Sequence, residues 1–166
     1  MARGMHTLTI ETPRLKLVLQ TPEEARASIA AMDEATKAQI SAEWLARLNA
    51  SVSPDPFVHS FSLMHKDSGA VIGQCGFKGP PDAQGTIEMA YGVSPDQEGQ
   101  GFATEAARAL RDFALTFAPV QTVIAHTLPA ANASRRILAK CGFTHVGEVT
   151  DPEDGVVSRF EYSRRK

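Results

Sequence analysis

The sequence of 166 residues predicts an α+β or mixed α/β fold, built as a single domain over residues 1–166 around a central sheet. Three observations carry that expectation. The segment Gly85–Val93 alternates, with Ile87, Met89, Tyr91 and Val93 on one face and Thr86, Glu88, Ala90 and Gly92 on the other, which is the period of a strand. Segments between such runs repeat their apolar residues at helical spacing, as a helix lying on a sheet does. The strand at 85–93 also empties into a turn flanked by Gly99 and Gly101 that opens a strongly amphipathic helix. A chain of this length can bury a substantial core.

In chain order, Leu15 to Gln20 reads as the first strand. Thr21-Pro22-Glu23-Glu24 then supplies a capping hydroxyl, a proline at the first helical position and acids in the first turn, so a helix starts there. Helical spacing runs over Ala25 to Met32 and again over Lys37 to Leu48, where Ile40, Trp44, Leu45 and Leu48 recur, until Ser51-Val52-Ser53-Pro54-Asp55-Pro56 breaks the pattern as a loop. Phe57 to His65 and Ala70 to Phe77 flank Lys66-Asp67-Ser68-Gly69 and read as a hairpin, which Gly79-Pro80-Pro81-Asp82 ends. After the strand at 85–93, a helix from about Gly101 to Phe117 buries Phe102, Ala106, Ala109, Leu110, Phe113 and Phe117 and leaves Glu105, Arg108 and Asp112 as a solvated ladder. Thr122 to Thr127 is a short buried strand and Ala133 to Lys140 a helix. Phe143 to Val149 and Val156 to Tyr162 form a closing hairpin across Asp151-Pro152-Glu153-Asp154-Gly155.

The stretch Tyr91 to Ala107, YGVSPDQEGQGFATEAA, carries most of the functional information. Gly99 and Gly101 let the backbone turn tightly and approach a ligand. The helix that follows offers unpaired N–H groups and the positive end of its dipole, so the combination binds phosphate and the expected ligand is a polyphosphate cofactor. Two other phosphate loops do not fit. A dinucleotide fingerprint would need a third glycine where Thr104 stands and an acid about 20 residues on, where the chain reads Val123-Ile124-Ala125-His126. A P-loop would need Gly-Lys-Ser or Gly-Lys-Thr, and neither follows the turn.

Glu98-Gly99-Gln100-Gly101-Phe102-Ala103 resembles the acyl-CoA loop of the GCN5-related N-acetyltransferases, the GNAT family, whose pattern is Gln or Arg, two residues, Gly, one residue, then Gly or Ala. Ser94-Pro95-Asp96, Thr104-Glu105-Ala106 and Thr12-Pro13-Arg14-Leu15 are similar to the subgroup of ribosomal-protein N-terminal (alanine/serine) acetyltransferases. Leu128-Pro129-Ala130-Ala131-Asn132-Ala133-Ser134, followed by Lys140-Cys141-Gly142-Phe143, resembles the Asn-x-Ser and Gly-Phe ending of these enzymes. The resemblance implies a mostly antiparallel, twisted sheet flanked by about four helices, whose strands at 85–93 and 122–127 splay apart to admit the pantetheine arm of acetyl-CoA. It implies that Tyr91, Gly92 and Val93 present backbone groups to the pantetheine, that the amides of Gly99, Gln100, Gly101, Phe102, Ala103 and Thr104 hold the pyrophosphate, and that Asn132 contacts the cofactor. The acceptor it implies is a primary amine, on a protein N-terminus or a small molecule. An acyl-CoA-binding sensor without chemistry is the alternative. Glu98 departs from the pattern, since a carboxylate there must point away from a pyrophosphate.

Making an amide from a thioester requires an amine that has lost its proton and a donor for the departing thiolate. Glu88 is the candidate base: it shares a strand face with the small residues Thr86, Ala90 and Gly92, which leaves room for a substrate. A glutamate starts near pKa ~4.3, and as a tuned base it contributes roughly 10² to 10⁴ in rate. The competing reading is a carboxylate on a solvated strand face. His126 is a second candidate, as base or as a group that orients one. Ser134 is by resemblance the proton donor or sulfur-positioning group, and Ser134 and Asn132 are equally residue types that cap a helix. The tyrosine that many GNAT enzymes carry later in that helix is Leu138 here. Trp44 and Phe77 are candidates both for the acceptor pocket and for core packing. By the same resemblance, that pocket is expected around residues 22–56 and 150–156.

Bulk properties narrow the partners. A net charge of -2 argues against a general binder of nucleic acid or anionic membranes. No window approaches about 18 apolar residues and Met1-Ala2-Arg3-Gly4-Met5-His6 has no apolar run, so a cytoplasmic location is expected. Histidines at 6, 59, 65, 126 and 145 lack ligand spacing, so no metal site is expected. Cys75 and Cys141 read as reduced thiols, and neither has a neighbouring histidine in sequence, so direct transfer without an acyl-enzyme is expected. The family resemblance also admits a homodimer.

Overall fold

A computed structural model describes residues 8–130, 132–152 and 155–164. Along the chain these form β1 (Thr9–Glu11), β2 (Leu15–Leu19), α1 (Pro22–Ala30), α2 (Glu34–Lys37), α3 (Ala42–Ala50), β3 (Phe61–His65), β4 (Val71–Phe77) and β5 (Thr86–Val93). Then follow α4 (Phe102–Ala114), β6 (Thr122–Thr127), α5 (Asn132–Lys140), β7 (Thr144–Asp151) and β8 (Gly155–Ser163). The strands make one mixed sheet in the order β1-β2-β3-β4-β5-β6-β8-β7. Only β5 and β6 run parallel; the other neighbours are antiparallel. Met1–His6, Ala131 and the Glu153–Asp154 centre of the expected last turn lie outside the described residues. Among the described residues no helix is long and apolar enough to cross a membrane.

Local chemistry explains most boundaries. In β2, Leu15, Leu17 and Leu19 are buried while Lys16 is exposed, the alternation of a strand with one face in the core. At α1 the Thr21 hydroxyl accepts from the Glu24 N–H at 3.0 Å and the Glu24 carboxylate accepts from the Thr21 N–H at 2.9 Å, a reciprocal capping box. The expected hairpin around 66–69 forms, with Gly69 at φ 74 and its N–H donating to the His65 carbonyl at 2.8 Å. Both cysteines are buried free thiols.

Four expectations need correction. The helix expected over 37–48 is two pieces, because the Ser41 hydroxyl accepts from the Trp44 N–H at 3.0 Å and starts α3 afresh after α2 has ended. A local side-chain bond there outcompetes a continuous helix, and apolar spacing does not register the break. The strand expected from Phe57 begins at Phe61. Residues 55–59 instead fold into a turn, in which the Asp55 carboxylate accepts from the Phe57 N–H at 2.8 Å and His59 Nδ1 accepts from the Asp55 N–H at 2.9 Å. The long helix stops at Ala114 rather than Phe117. Its residue Glu105 is not part of a solvated ladder but is held by the β1–β2 connection. β1 was not expected at all; three residues are too few to show a period.

Ile87 and Met89 of β5, Val123 and Ala125 of β6, and Phe102, Ala106 and Leu110 of α4 share one buried cluster. Glu88 and His126 lie on the other face of these strands. β5 and β6 pair only at Thr86↔Thr122, Ile87↔Val123 and Glu88↔Ile124. Beyond that rung β5 stays with β4 as far as Gly73↔Val93, and β6 stays with β8 as far as Thr127↔Ser158. The two strands therefore part, and the splay opens immediately after Glu88.

Candidate functional site

Glu88 occupies the last paired rung before the strands separate. Its partner Ile124 and the residue two further along β6, His126, share the same sheet face, which brings two side chains 38 positions apart into contact. Glu88 Oε2 lies 2.8 Å from His126 Nδ1 and 3.6 Å from Lys78 Nζ. The Glu88 and His126 side chains are 24% and 16% exposed, so the pair is sheltered yet reachable. His126 Nδ1 shares a hydrogen bond with this carboxylate, and its buried Nε2 has no partner among the described residues. Lys78 comes from the segment after β4, whose backbone N–H donates to the Glu88 carbonyl at 2.9 Å. Glu88 is thus fixed from both neighbouring strands.

On one side of the splay lies a cleft of about 360 Å³ between the end of β5, the glycine turn and α5. Tyr91, Gly92, Val93, Glu98, Gly99, Gly101, Phe102, Ala103 and Thr104 line it. Ala133, Ser134, Ile137 and Lys140 of α5 line its other wall. Gly99 and Gly101 adopt φ 81 and 85, a region in which a side chain is strained. Gly101 carries no side-chain cap for α4, so the amides of the first turn are open to a ligand. Gln100 is exposed at the turn, and Asn132 is the exposed first residue of α5, ahead of the lining residues. Glu98 lines the mouth of the cleft and is exposed, so its carboxylate has room to turn to solvent.

The Tyr91 hydroxyl crosses the cleft and donates to the Ser134 carbonyl at 3.5 Å. Burial pushes its pKa well above the ordinary tyrosine value, with Cys141 adding to the rise and the bond to Ser134 opposing it. The phenol therefore keeps its proton at neutral pH. Sequence reasoning assigned Tyr91 only a backbone role, and strand alternation gave no sign that its ring would reach α5. Arg136 and Lys140 also line this cleft and were not singled out, although their four-residue spacing places both on one helix face. Backbone amides, an uncapped helix start and these two cations together suit a polyphosphate such as that of acetyl-CoA.

Arg14 is the clearest residue missed. Its guanidinium donates to the Gln100 carbonyl at 3.0 Å, pairs with Glu105 at 2.8 Å and stacks 4.4 Å over the Phe102 ring. Its backbone N–H donates to Glu105 at 2.8 Å, and the Thr12 hydroxyl donates to the same carboxylate oxygen. Partial burial raises the Glu105 pKa, but the bonds from Thr12 and Arg14 outweigh it, and the carboxyl sits below its ordinary value. Thr12-Pro13-Arg14-Leu15 thus ties the glycine turn and the start of α4 to the first hairpin.

On the other side of Glu88 lies a larger cavity of about 830 Å³. Ile29 and Met32 from the α1 end, Ile40 and Trp44 line it opposite the segment Phe77–Asp82, with Asp151 and Pro152 at the rim of the last hairpin. Trp44 and Phe77 both line this cavity, Phe77 being also a buried core residue against Phe57 and Phe113, and the Trp44 indole N–H donates to the Val58 carbonyl at 2.9 Å.

Comparison with known proteins agrees with this geometry. Residues 6–144 match the family described as the acetyltransferase (GNAT) domain. An uncharacterized N-acetyltransferase p20 of Bacillus licheniformis is 31% identical over 93 residues, 56% of this chain and 52% of that protein. The FsC-acetyl coenzyme A-N(2)-transacetylase of Aspergillus fumigatus is 41% identical over 59 residues, 36% of this chain and 25% of its own length. The chain spans about half the length, or less, of these curated relatives. Among solved structures, the ribosomal-protein-S5-alanine acetyltransferase of Vibrio fischeri superposes with TM-score 0.67 at 15% identity, covering 94% of this chain and 96% of the other. A spermidine N-acetyltransferase chimera containing Vibrio cholerae sequence also gives TM-score 0.67, at 17% identity over 90% of this chain and 95% of the other. Equal likeness to a protein acetyltransferase and a polyamine acetyltransferase identifies the fold and leaves the acceptor undecided.

Proposed function

Since the chain belongs to the GNAT acetyltransferase family, we propose that it is an acetyl-CoA-dependent N-acetyltransferase that transfers the acetyl group directly to a primary amine. The observation that carries this reading is the Glu88–His126 pair at 2.8 Å on the rung where β5 and β6 part, with the glycine turn on one side and a roomy cavity on the other. Acetyl-CoA, when bound, supplies an activated acetyl thioester. The amides of residues 99–104, with Arg136 and Lys140, hold its phosphates; Tyr91, Gly92 and Val93 line the path of its arm, and Asn132 contacts it from the head of α5.

Glu88 takes the proton that the arriving ammonium must lose, and His126 keeps the carboxylate turned toward the cavity through its Nδ1–H. Lys78, 3.6 Å away, steadies the negative charge before the proton arrives. As the carbon–nitrogen bond forms and the carbon–sulfur bond breaks, the Ser134 hydroxyl, or the Tyr91 hydroxyl once turned from the Ser134 carbonyl, donates a hydrogen bond to the departing sulfur, and the thiolate takes up the second proton that the nitrogen sheds. A weakly acidic phenol suits this role as a donor that stays protonated. Burial also pushes the Cys75 thiol far above its ordinary pKa, which supports direct transfer without an acyl-enzyme.

Likeness to ribosomal-protein acetyltransferases supports a protein N-terminus as acceptor, and likeness to the spermidine N-acetyltransferase chimera supports a small amine. Incubation with acetyl-CoA and a pool of short peptides and simple amines, read by the mass shift of acetylation, tests the reading. Acetylated products are expected; bound acetyl-CoA with no product from either pool would make the chain a sensor instead.

A further inference from the structure

The cavity beside Glu88 carries enough chemistry to choose among amines. Part of its lining is apolar: Ile29, Met32, Ile40 and Trp44 from the helical side and Phe77 from the sheet side. The indole N–H of Trp44 is already given to Val58, so the ring offers the cavity a face and no donor. Its volume of about 830 Å³ falls in the usual range for sites that take molecules of drug size, ~300–1,000 Å³.

Both cations of the lining are engaged with carboxylates of the lining. Arg47 binds Glu43 at 2.8 Å and Lys78 lies 3.6 Å from Glu88. Asp82 Oδ1 accepts from the N–H groups of Gln84 and Thr86, each at 2.9 Å. The carboxylates Glu43, Asp82 and Glu88 outnumber the cations Arg47 and Lys78, so these groups together are negative. An acceptor that brings its own carboxylate beside the amine meets this field, while both lining cations already have acidic partners. A polyamine can offer its further ammonium groups to Glu43 and Asp82, but it leaves the apolar wall of Ile29, Met32, Trp44 and Phe77 unfilled.

We propose that the acceptor is a primary amine on a large apolar body, aromatic or branched, with no free carboxylate next to the amine. The inference rests on the transferase reading above. Two sources share this chemistry: a free arylalkylamine, and a peptide whose first residue is large and apolar and whose α-carboxyl is an amide. Trp44 and Met32 act as the specificity-determining contacts for the body, and Glu88 receives the proton of the amine.

The test is kcat/KM with acetyl-CoA for phenethylamine, phenylalaninamide, a phenylalanine-initiated tetrapeptide amide, free phenylalanine and spermidine. Phenethylamine or the phenylalanine amides should exceed both free phenylalanine and spermidine by roughly tenfold or more, the size expected when one ring is well buried or one charge repelled. The better of phenethylamine and the tetrapeptide identifies the source. Trp44→Leu should reduce the advantage of the aromatic amine over spermidine at least threefold, and Met32→Glu, at a half-buried position of the lining, should do the same. Spermidine or free phenylalanine as the best substrate, or an aromatic preference unmoved in both variants, would overturn the proposal and leave the transferase standing. No product from any amine while calorimetry shows acetyl-CoA binding would overturn the transferase reading, and this inference with it.

Discussion

The two sides of Glu88 are built in different ways. The proposed cofactor side is lined mainly by one continuous stretch, β5 through the first turn of α4, whose glycines hold special φ values, with α5 as its far wall. The proposed acceptor side is lined by residues from α1 to α3, the β4–β5 connection and the last hairpin, segments that meet only in the folded molecule. A backbone-built site tolerates side-chain drift but depends on its few special φ values. A side-chain-built site can change its ligand through single substitutions without disturbing the fold. On the proposed reading, one half of the molecule holds the cofactor while the other sets what is acetylated.

Gly101→Val strikes the cofactor side where it is least tolerant. The position has φ 85, and a β-carbon would stand 3.2 Å from the Arg14 guanidinium. Acetyl-CoA affinity should fall roughly a hundredfold, since a strained turn costs about 1–3 kcal/mol and displaces amides that hold phosphate. Calorimetry beside a thermal melt checks this; unchanged affinity in a folded variant would remove the turn from the binding site. A smaller effect is expected from Arg14→Ala, which unties the turn from the first hairpin without altering its φ values. Affinity should drop roughly tenfold and stability by about 1 kcal/mol, the scale of a half-exposed ion pair plus one cation–π contact. If affinity is untouched, Arg14 only supports the fold.

The smallest effect is on acid stability. Glu105 has its folded pKa lowered, because bonds from Thr12 and Arg14 outweigh the partial burial that raises it. The stability it contributes is present above the ordinary glutamate value of about 4.3 and is lost as pH falls through the lowered folded value. Melting temperatures followed downward from about pH 5 should fall less steeply for Glu105→Gln than for the parent chain. Parallel curves would show that Glu105 is bound equally in both states.

How much of this was legible in the sequence follows the same division. β5, the glycine turn and α4 were readable because alternation, paired glycines and helical spacing are local and uninterrupted between Thr86 and Ala114. α2 and α3 were read as one helix because the interruption is a single serine hydroxyl, and apolar spacing alone does not register it. Glu88 and His126 could each be named from position on a strand. Their contact depends on the parallel register Glu88↔Ile124, which no local pattern encodes. Arg14 and the Tyr91 hydroxyl escaped for the same reason, since the partners of Arg14 stand 86 and 91 positions away and that of Tyr91 43 positions away. The acceptor cavity could be placed near residues 22–56 and 150–156 only by resemblance, and its lining emerged from the fold.

The central claim is that Glu88, at the apex of the splayed strands, removes the proton of the amine. Glu88→Gln keeps the size and the contact with His126 but cannot act as a base. With the best acceptor at saturation, kcat should fall roughly 10²- to 10⁴-fold while acetyl-CoA affinity by calorimetry stays within about twofold of the parent. An unchanged kcat would contradict the account and return Glu88 to the role of a strand-face carboxylate.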